Sequence, residues 1–220
     1  MVNIAVWKKL TEEFAAEGVA LVAVSKTKPV GDILELYQAG QRAFGENYVQ
    51  ELVEKQAALP ADIQWHYIGH LQGNKVKFIA QFVHLIHAVD SFKLLAEIDK
   101  QALKNNRTID VLLQVHIAAE DTKFGLSEQE IMQQFGEQST PLANVRICGL
   151  MGMATNTDDQ AQVRTEFRRL RDLFTLLKQT TFSRNPSFTT CSMGMSADYT
   201  IAIEEGSTMV RIGSMLFGAR

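Results

Sequence analysis

Eight short apolar runs, separated by segments with helical spacing, constrain this chain more than any other feature of its sequence. The runs are Leu21–Val24, Arg42–Gly45, Trp65–Gly69, Val83–Val89, Asp110–Ile117, Arg146–Met153, Phe188–Met193 and Met209–Phe217. Between them, apolar residues recur three and four apart, as in Ile33/Leu34/Leu36/Tyr37, Leu94/Leu95/Ile98 and Phe167/Leu170/Leu173/Phe174/Leu177, the spacing that puts one apolar stripe on a helix. Strict strand–helix alternation predicts a parallel sheet, and eight repeats are the number that closes a (β/α)8 TIM barrel. No GxGxxG follows the first run, which weighs against an open dinucleotide-binding sheet. The last run nearly ends the chain, so no eighth helix is expected after it, and the amphipathic segment Val6/Trp7/Leu10/Phe14 is expected to supply an extra N-terminal helix to the outer ring. With only 4 prolines and no low-complexity stretch, a single domain over residues 1–220 is predicted.

Composition narrows the partners. A formal net charge of -3 leaves no basic footprint for nucleic acid. The densest basic cluster, Arg164, Arg168, Arg169 and Arg171, is interleaved with Glu166 and Asp172 and reads as a solvated helix face. Cys148 and Cys191 each sit inside an apolar run without metal-ligand spacing, so buried free thiols in a reducing compartment are expected. His84 and His87 are placed by strand alternation on opposite faces, which is poor for a shared metal, and no metal is predicted. The N-terminus lacks the basic start and long apolar stretch of a signal peptide, and no run reaches a membrane span; a cytoplasmic protein is expected.

In a barrel the site forms where strands end, so the residues just after each run are the ones to inspect. Lys26 follows the first run directly, at the mouth of a core. Burial and a nearby positive charge lower a lysine's pKa, and an unprotonated amine condenses with aldehydes, so Lys26 is a candidate Schiff-base nucleophile; the bland alternative is a lysine capping a strand in solvent. Lys28, two residues on, is a nearby cation or an alternative amine, or a solvated lysine; Lys75 is open in the same way. Glycine and serine gather at the seventh and eighth strand ends, in Ser192-Met193-Gly194-Met195-Ser196 and Arg211-Ile212-Gly213-Ser214, and glycine lets backbone N–H groups approach a phosphate. Ser196 is also a candidate N-cap for the helix that follows.

These residues resemble those of a known family, the pyridoxal phosphate homeostasis (YggS/PROSC) proteins. The segments that carry the resemblance are Ala23-Val24-Ser25-Lys26-Thr27-Lys28-Pro29, Phe44-Gly45-Glu46-Asn47-Tyr48-Val49-Gln50-Glu51, Trp65-His66-Tyr67-Ile68-Gly69-His70-Leu71-Gln72-Gly73-Asn74-Lys75, Thr122-Lys123-Phe124-Gly125, Gly149-Leu150-Met151, the Ser192–Ser196 segment and Gly206-Ser207-Thr208-Met209-Val210-Arg211-Ile212-Gly213. They run in order along the chain with the family's spacing. The resemblance implies a barrel like the N-terminal domain of alanine racemase, with pyridoxal 5'-phosphate (PLP) as a Schiff base on Lys26. It further implies Arg211 facing the pyridine nitrogen, Ser196, Gly213, Ser214 and Met195 at the phosphate, and Asn47, His66 and Met151 lining the ring. The chain departs from the commonest family pattern at His70, Gly73, His116 and Gly152-Met153-Ala154-Thr155.

Three functions fit. PLP chemistry uses the ring as an electron sink, which works best with a protonated ring nitrogen; an arginine there does the reverse. Alanine racemase compensates with a second base, a tyrosine from an additional domain, and no such domain is expected in this chain. The leading expectation is therefore a non-catalytic, monomeric carrier that holds PLP and passes it to apo-enzymes. The alternatives are a small PLP-dependent racemase or decarboxylase with Lys26 as base and His66 or water as second acid, and a cofactor-free Schiff-base aldolase whose arginine and serines hold a sugar phosphate. On strand alternation, His66 is expected to point inward and Tyr67 outward.

Overall fold

The computed structural model describes residues 2–120, 124–135 and 142–218. Eight parallel strands close on themselves in the order β1 to β8: β1 (Ala20–Val24), β2 (Ala43–Glu46), β3 (Gln64–Tyr67), β4 (Leu85–Val89), β5 (Ile109–Gln114), β6 (Val145–Met151), β7 (Thr190–Met195) and β8 (Met209–Ile212). The helices are α1 (Ile4–Ala16), α2 (Val30–Gln38), α3 (Val49–Ala58), α4 (Val76–Ile79), α5 (Phe92–Lys104), α6 (Glu128–Gln134), α7 (Gln160–Gln179), α8 (Tyr199–Glu204) and α9 (Ser214–Phe217). The alternation read from the sequence is thus the observed barrel, with a 3₁₀ turn at Gly73–Lys75 leading into the short α4.

Two apolar layers follow from the period of two along each strand. Outward residues such as Phe44, Trp65, Tyr67, Val111, Leu150 and Val210 form one continuous core with the helix stripes. The longest stripe belongs to α7, where Val163, Phe167, Leu170, Leu173, Phe174 and Leu177 are buried and Asp159 caps the start by accepting from Ala161 and Gln162 N–H. The inward layer is smaller: Leu85, Ala88, Leu112, Cys148 and Met151 pack together inside the barrel.

Two expectations are corrected at the C-terminal end, the extent of the eighth strand and the lack of a helix after it. The eighth strand stops at Ile212 rather than running to Phe217, and the chain turns there into the single-turn helix α9. A run of apolar residues alone cannot distinguish a buried strand from a buried helical turn. The extra helix α1 is present as expected, burying Trp7, Leu10 and Phe14, and it is tied to α9 by Asn3 N–H donating to Leu216 O at 2.8 Å. The basic cluster on α7 is not simply solvated: Arg164 Nη1 donates to Glu205 at 2.7 Å and Arg168 Nε to the same carboxylate at 3.0 Å, with Glu204 as a further partner of Arg164. These pairs clamp α8, the element that follows the β7 end.

Phe14 seats α1 on the barrel, 1% exposed and edge-on to Tyr199 with ring centroids 5.5 Å apart. Phe14→Ala is expected to cost about 3–5 kcal/mol, read as a lowered urea midpoint with the m-value unchanged.

Candidate functional site

A cavity of about 340 Å³ opens at the C-terminal end of the barrel. Lys26 and Lys28 reach it from the loop after β1, Asn47 from β2, Met195 and Ser196 from β7, and Arg211, Gly213 and Ser214 from β8. Of the nine site residues selected from the sequence, seven meet on this wall: Lys26, Asn47, Met195, Ser196, Arg211, Gly213 and Ser214. His66 and Met151 do not border it. Met151 is fully buried in the inward apolar cluster, and His66 lies deeper in the barrel. In each case the residue two positions on, Ile68 after β3 and Met153 after β6, takes the wall position. Period-two counting puts both members of each pair on one face, with inward residues two apart one layer higher, but does not say which layer reaches the cavity.

The turn that carries Lys26 is held by a buried ionic cluster. Lys55 Nζ donates to Ser25 O, to Glu46 Oε1 and to Glu51 Oε1, each at 2.7 Å. Ser25 Oγ donates to the same Glu46 oxygen at 2.5 Å, and Glu51 Oε1 accepts from Thr27 N–H at 2.5 Å. Both neighbours of Lys26 are therefore pinned, and Thr27 is held at a φ of 64°, in the left-handed region that few threonines adopt. Glu46 is 0% and Lys55 5% exposed. Burial pushes the Glu46 carboxyl up from its ordinary range, while Lys55 and then Ser25 pull it back. Lys55 was not selected from the sequence; its signal was the Glu51/Lys55 spacing of four on a helix whose opposite face is solvated.

Arg211 is 4% exposed and fixed from two strands. Its Nη1 donates to Ser192 O at 3.0 Å and to Ser192 Oγ at 2.6 Å, and its Nη2 to Gly152 O at 3.1 Å. Burial lowers its pKa to about 10, which leaves it cationic at neutral pH. Below it, His87 Nδ1 lies 3.4 Å from Ser192 Oγ, and His87 Nε2 lies 2.9 Å from His66 Nδ1. His66 does point inward, and Tyr67 outward, where its hydroxyl donates to Asn47 O at 2.9 Å and to His70 O at 3.2 Å. Gly69 permits that loop's close approach: a Cβ there would stand 2.5 Å from Asn47 O. The reading of His84 and His87 on opposite faces is corrected, since both rings lie near His66, at centroid distances of 5.3 and 5.1 Å. The strand starts only at Leu85, so alternation does not govern His84.

Other predicted roles resolve as follows. Lys28 Nζ donates to Phe217 O at 3.0 Å and Gly218 O at 3.2 Å, so this lysine closes the end of α9 beside the cavity. Ser196 is not an N-cap: α8 begins at Tyr199, and Ser196 Oγ instead accepts from Gly213 N–H at 3.3 Å, joining the β7 and β8 ends. Met195 N–H donates to Asp198 Oδ1 at 2.6 Å, which shapes the same turn. Gly194 permits this turn, with a φ of 98° and Ala202 Cβ only 2.6 Å from where its own Cβ would be. Lys75 stands over the Phe78 ring, 5.7 Å from its centroid. Thr122 and Lys123 lie outside the described residues. A larger groove of about 710 Å³, lined by residues including His70, Asp90 and Glu97, contains none of the predicted site residues. Both thiols are buried, and burial pushes Cys148 up to about 11 and Cys191 to about 12. Among the described residues no cluster of His, Cys, Asp and Glu could hold a metal ion, and no helix is long and apolar enough to cross a membrane.

The barrel with a lysine after its first strand defines a class. A family model described as the alanine racemase N-terminal domain matches residues 4–220, and the chain belongs to that family. Within it the chain is one of the pyridoxal phosphate homeostasis proteins: the protein of that name from Vibrio alginolyticus is 44% identical over 209 residues, covering 93% of this chain and 88% of that one. Its namesake from Aquifex aeolicus is 43% identical over 201 residues, covering 91% and 86%. PipY of Synechococcus elongatus, solved with PLP bound, is 35% identical with a TM-score of 0.85, covering 98% of this chain and 100% of PipY. Alanine racemase from Bartonella henselae shares the fold, with a TM-score of 0.71 at 18% identity over 99% of this chain and 60% of the racemase.

Lys55→Met leaves the Glu46 carboxylate buried without its cation and is expected to cost about 3–5 kcal/mol in urea unfolding, whereas adding Glu46→Gln should recover most of it. The histidines set a pH dependence. Burial, with His84 adding, pushes His66 down to about 3, and burial with His66, Arg211 and His84 pushes His87 well below the ordinary 6.5. The unfolded chain therefore takes up protons that the folded chain refuses. Stability is fully present above the ordinary histidine range and falls as pH drops from there, for His66 down toward about 3. Urea midpoints between pH 7 and 5 should fall less steeply in His66→Leu.

Proposed function

We propose that this protein binds pyridoxal 5'-phosphate in the cavity between Lys26 and Arg211 and serves PLP homeostasis, holding the cofactor as a Schiff base on Lys26 without turning over amino acids. The observation that carries the reading is the convergence, on one cavity, of an amine, a hydroxyl-and-glycine edge and a buried guanidinium, in a chain 35% identical to a PipY structure with PLP bound. The residues present fit the group. A cavity of about 340 Å³ is of the size that takes a small cofactor. Lys28 and Arg211 line it with basic side chains suited to a phosphate ester, Lys26 supplies the amine, and Asn47 Oδ1 is buried there without a partner among the described residues.

When bound, PLP supplies an aldehyde that condenses with amines and a ring that draws electrons from the carbon attached to it. The rest belongs to the chain's own side chains. The Ser25–Glu46–Lys55–Glu51 cluster orients Lys26 toward the cavity by fixing the peptides on either side of it. Ser196, Gly213, Ser214 and Met195 form the edge that receives the phosphate, and Asn47, Ile68 and Met153 flank the ring. Arg211 faces the ring nitrogen and, being cationic and donor-only, keeps it from taking up a proton. His66 and Met151 act from the layer beneath rather than by touching the ring.

The non-catalytic reading is supported by what lines the cavity. Among the described lining residues, the titratable side chains are Lys26, Lys28 and Arg211, with no carboxylate or imidazole beside them. A racemase or decarboxylase needs a second acid or base opposite Lys26, and His66, the candidate from the sequence, is set back from the cavity and kept neutral by burial. The carrier is proposed to work as a cytoplasmic monomer of one barrel domain, over residues 1–220, that releases PLP to apo-enzymes.

Absorbance spectra of the PLP-loaded protein and its Lys26→Ala variant, before and after addition of amino acids, test this reading. The wild type is expected to show a visible Schiff-base band that Lys26→Ala lacks, with the amino acids recovered neither racemised nor decarboxylated. Lys26-dependent turnover would make the protein an enzyme, and no band in the wild type would remove PLP from the account.

A further inference from the structure

Barrel interiors are ordinarily filled by layers of branched apolar side chains. Here β4, β5 and β6 supply such a filling, but β3, β4, β7 and β8 place His66, His87, Ser192 and Arg211 in contact, at 3, 0, 0 and 4% exposure. Four polar side chains in that position cost stability unless each is satisfied, so the arrangement of their protons decides what the chain of contacts does.

A guanidinium has five donors and no acceptor, so Ser192 Oγ accepts from Arg211 across the 2.6 Å contact. The hydroxyl proton of Ser192 is then free to be donated, and the other partner of that oxygen among the described residues is His87 Nδ1 at 3.4 Å. If Ser192 donates there, a neutral His87 carries its proton on Nε2 and donates to His66 Nδ1 at 2.9 Å. His66 then carries its proton on Nε2, the one ring nitrogen that is buried without a partner. The opposite direction leaves two atoms unmatched, the Ser192 hydroxyl proton and the His66 Nε2 lone pair. The first direction leaves one.

We infer that Ser192 and His87 are positioning residues for Arg211: the contacts form a one-way donor chain, Arg211 to Ser192 to His87 to His66, which locks the Ser192 oxygen toward the guanidinium and fixes Arg211 on the cavity wall. The contribution to cofactor binding rests on the proposal that Arg211 faces the ring nitrogen of PLP; the proton order does not. Burial keeps both histidines neutral, and so preserves the donor order, throughout the neutral range. A protonated His87 would present a second donor to Ser192 and place a second cation beside Arg211. His66, at the far end, fixes the tautomer of His87 as an acceptor.

Two measurements on the full chain test this. Nitrogen-15 NMR of the histidine rings, without PLP, should show His87 protonated at Nε2 and not at Nδ1, and His66 protonated at Nε2; in Ser192→Ala, His87 loses this preference and a population protonated at Nδ1 appears. With PLP, His87→Leu and Ser192→Ala should release it about tenfold faster than wild type, the loss expected for one hydrogen bond to a charged group, and should shift the pH profile of the visible band. Thermal midpoints should fall in these variants, since each leaves a buried partner unsatisfied, so release is compared well below them. His87→Gln, whose amide can accept from Ser192 and donate to His66, should restore both release rate and pH profile. A His87 protonated at Nδ1, or unchanged PLP release and band profile in His87→Leu and Ser192→Ala, would overturn the inference. If the wild type fails to take up PLP at all, the proposed function fails instead, and the tautomers still decide the proton order.

Discussion

Everything at the site depends on the pairing of the first strand with the last. Val22 on β1 is in register with Arg211 on β8, and Ala23 with Ile212, so residues nearly two hundred positions apart become neighbours across a single ladder. That closure sets Lys26, just past the end of β1, against Gly213 and Ser214, just past the end of β8. It is a long-range contact with a loop-closure cost that only the whole circuit of parallel strands offsets. An open sheet made of the same elements would leave the lysine and the arginine at opposite edges, with no cavity between them.

Two clusters of buried polar groups lie beneath side chains that line the cavity. The Glu46–Lys55 pair, with Ser25 and Glu51, fixes the peptides flanking Lys26, and the histidine chain lies beneath Arg211. In both, apolar replacements of similar volume would fold at least as well, because desolvation consumes much of what a buried pair or hydrogen bond gains. The gain is geometric: a flexible lysine and a flexible arginine become directed groups. Their backing comes from different elements, α3 and β2 for one and β3, β4 and β7 for the other, which allows the two sides of the cavity to be set independently.

The apolar cluster of β4, β5 and β6 has the complementary role. Met151 and Leu112 fill the barrel below the cavity, and the wall above them is left to Met153 and Ile68. The cavity therefore sits above a filled interior, with Arg211 on its wall. The ion pairs of Arg164 and Arg168 with α8, and the hydrogen bonds of Lys28 to the backbone carbonyls ending α9, hold the β7 and β8 turns from outside.

The barrel was legible in the sequence because periodicity is a local property: runs of two-sided apolar residues and stripes at helical spacing declare strands and helices without reference to partners. Lys26, Arg211 and the glycine-serine turns were legible too, since their positions at strand ends depend only on that count. What periodicity could not decide was depth along the barrel axis. His66 and Ile68, like Met151 and Met153, share a face, and only the register of neighbouring strands determines which of each pair reaches the cavity. The switch from strand to helix at Ile212 was hidden for a related reason, as a short apolar run suits either. Lys55, His87 and Ser192 carry at most a weak local mark, such as the Glu51/Lys55 spacing of four. Their meaning arises from partners on other strands and helices, and the chain acquires those partners only when the barrel closes.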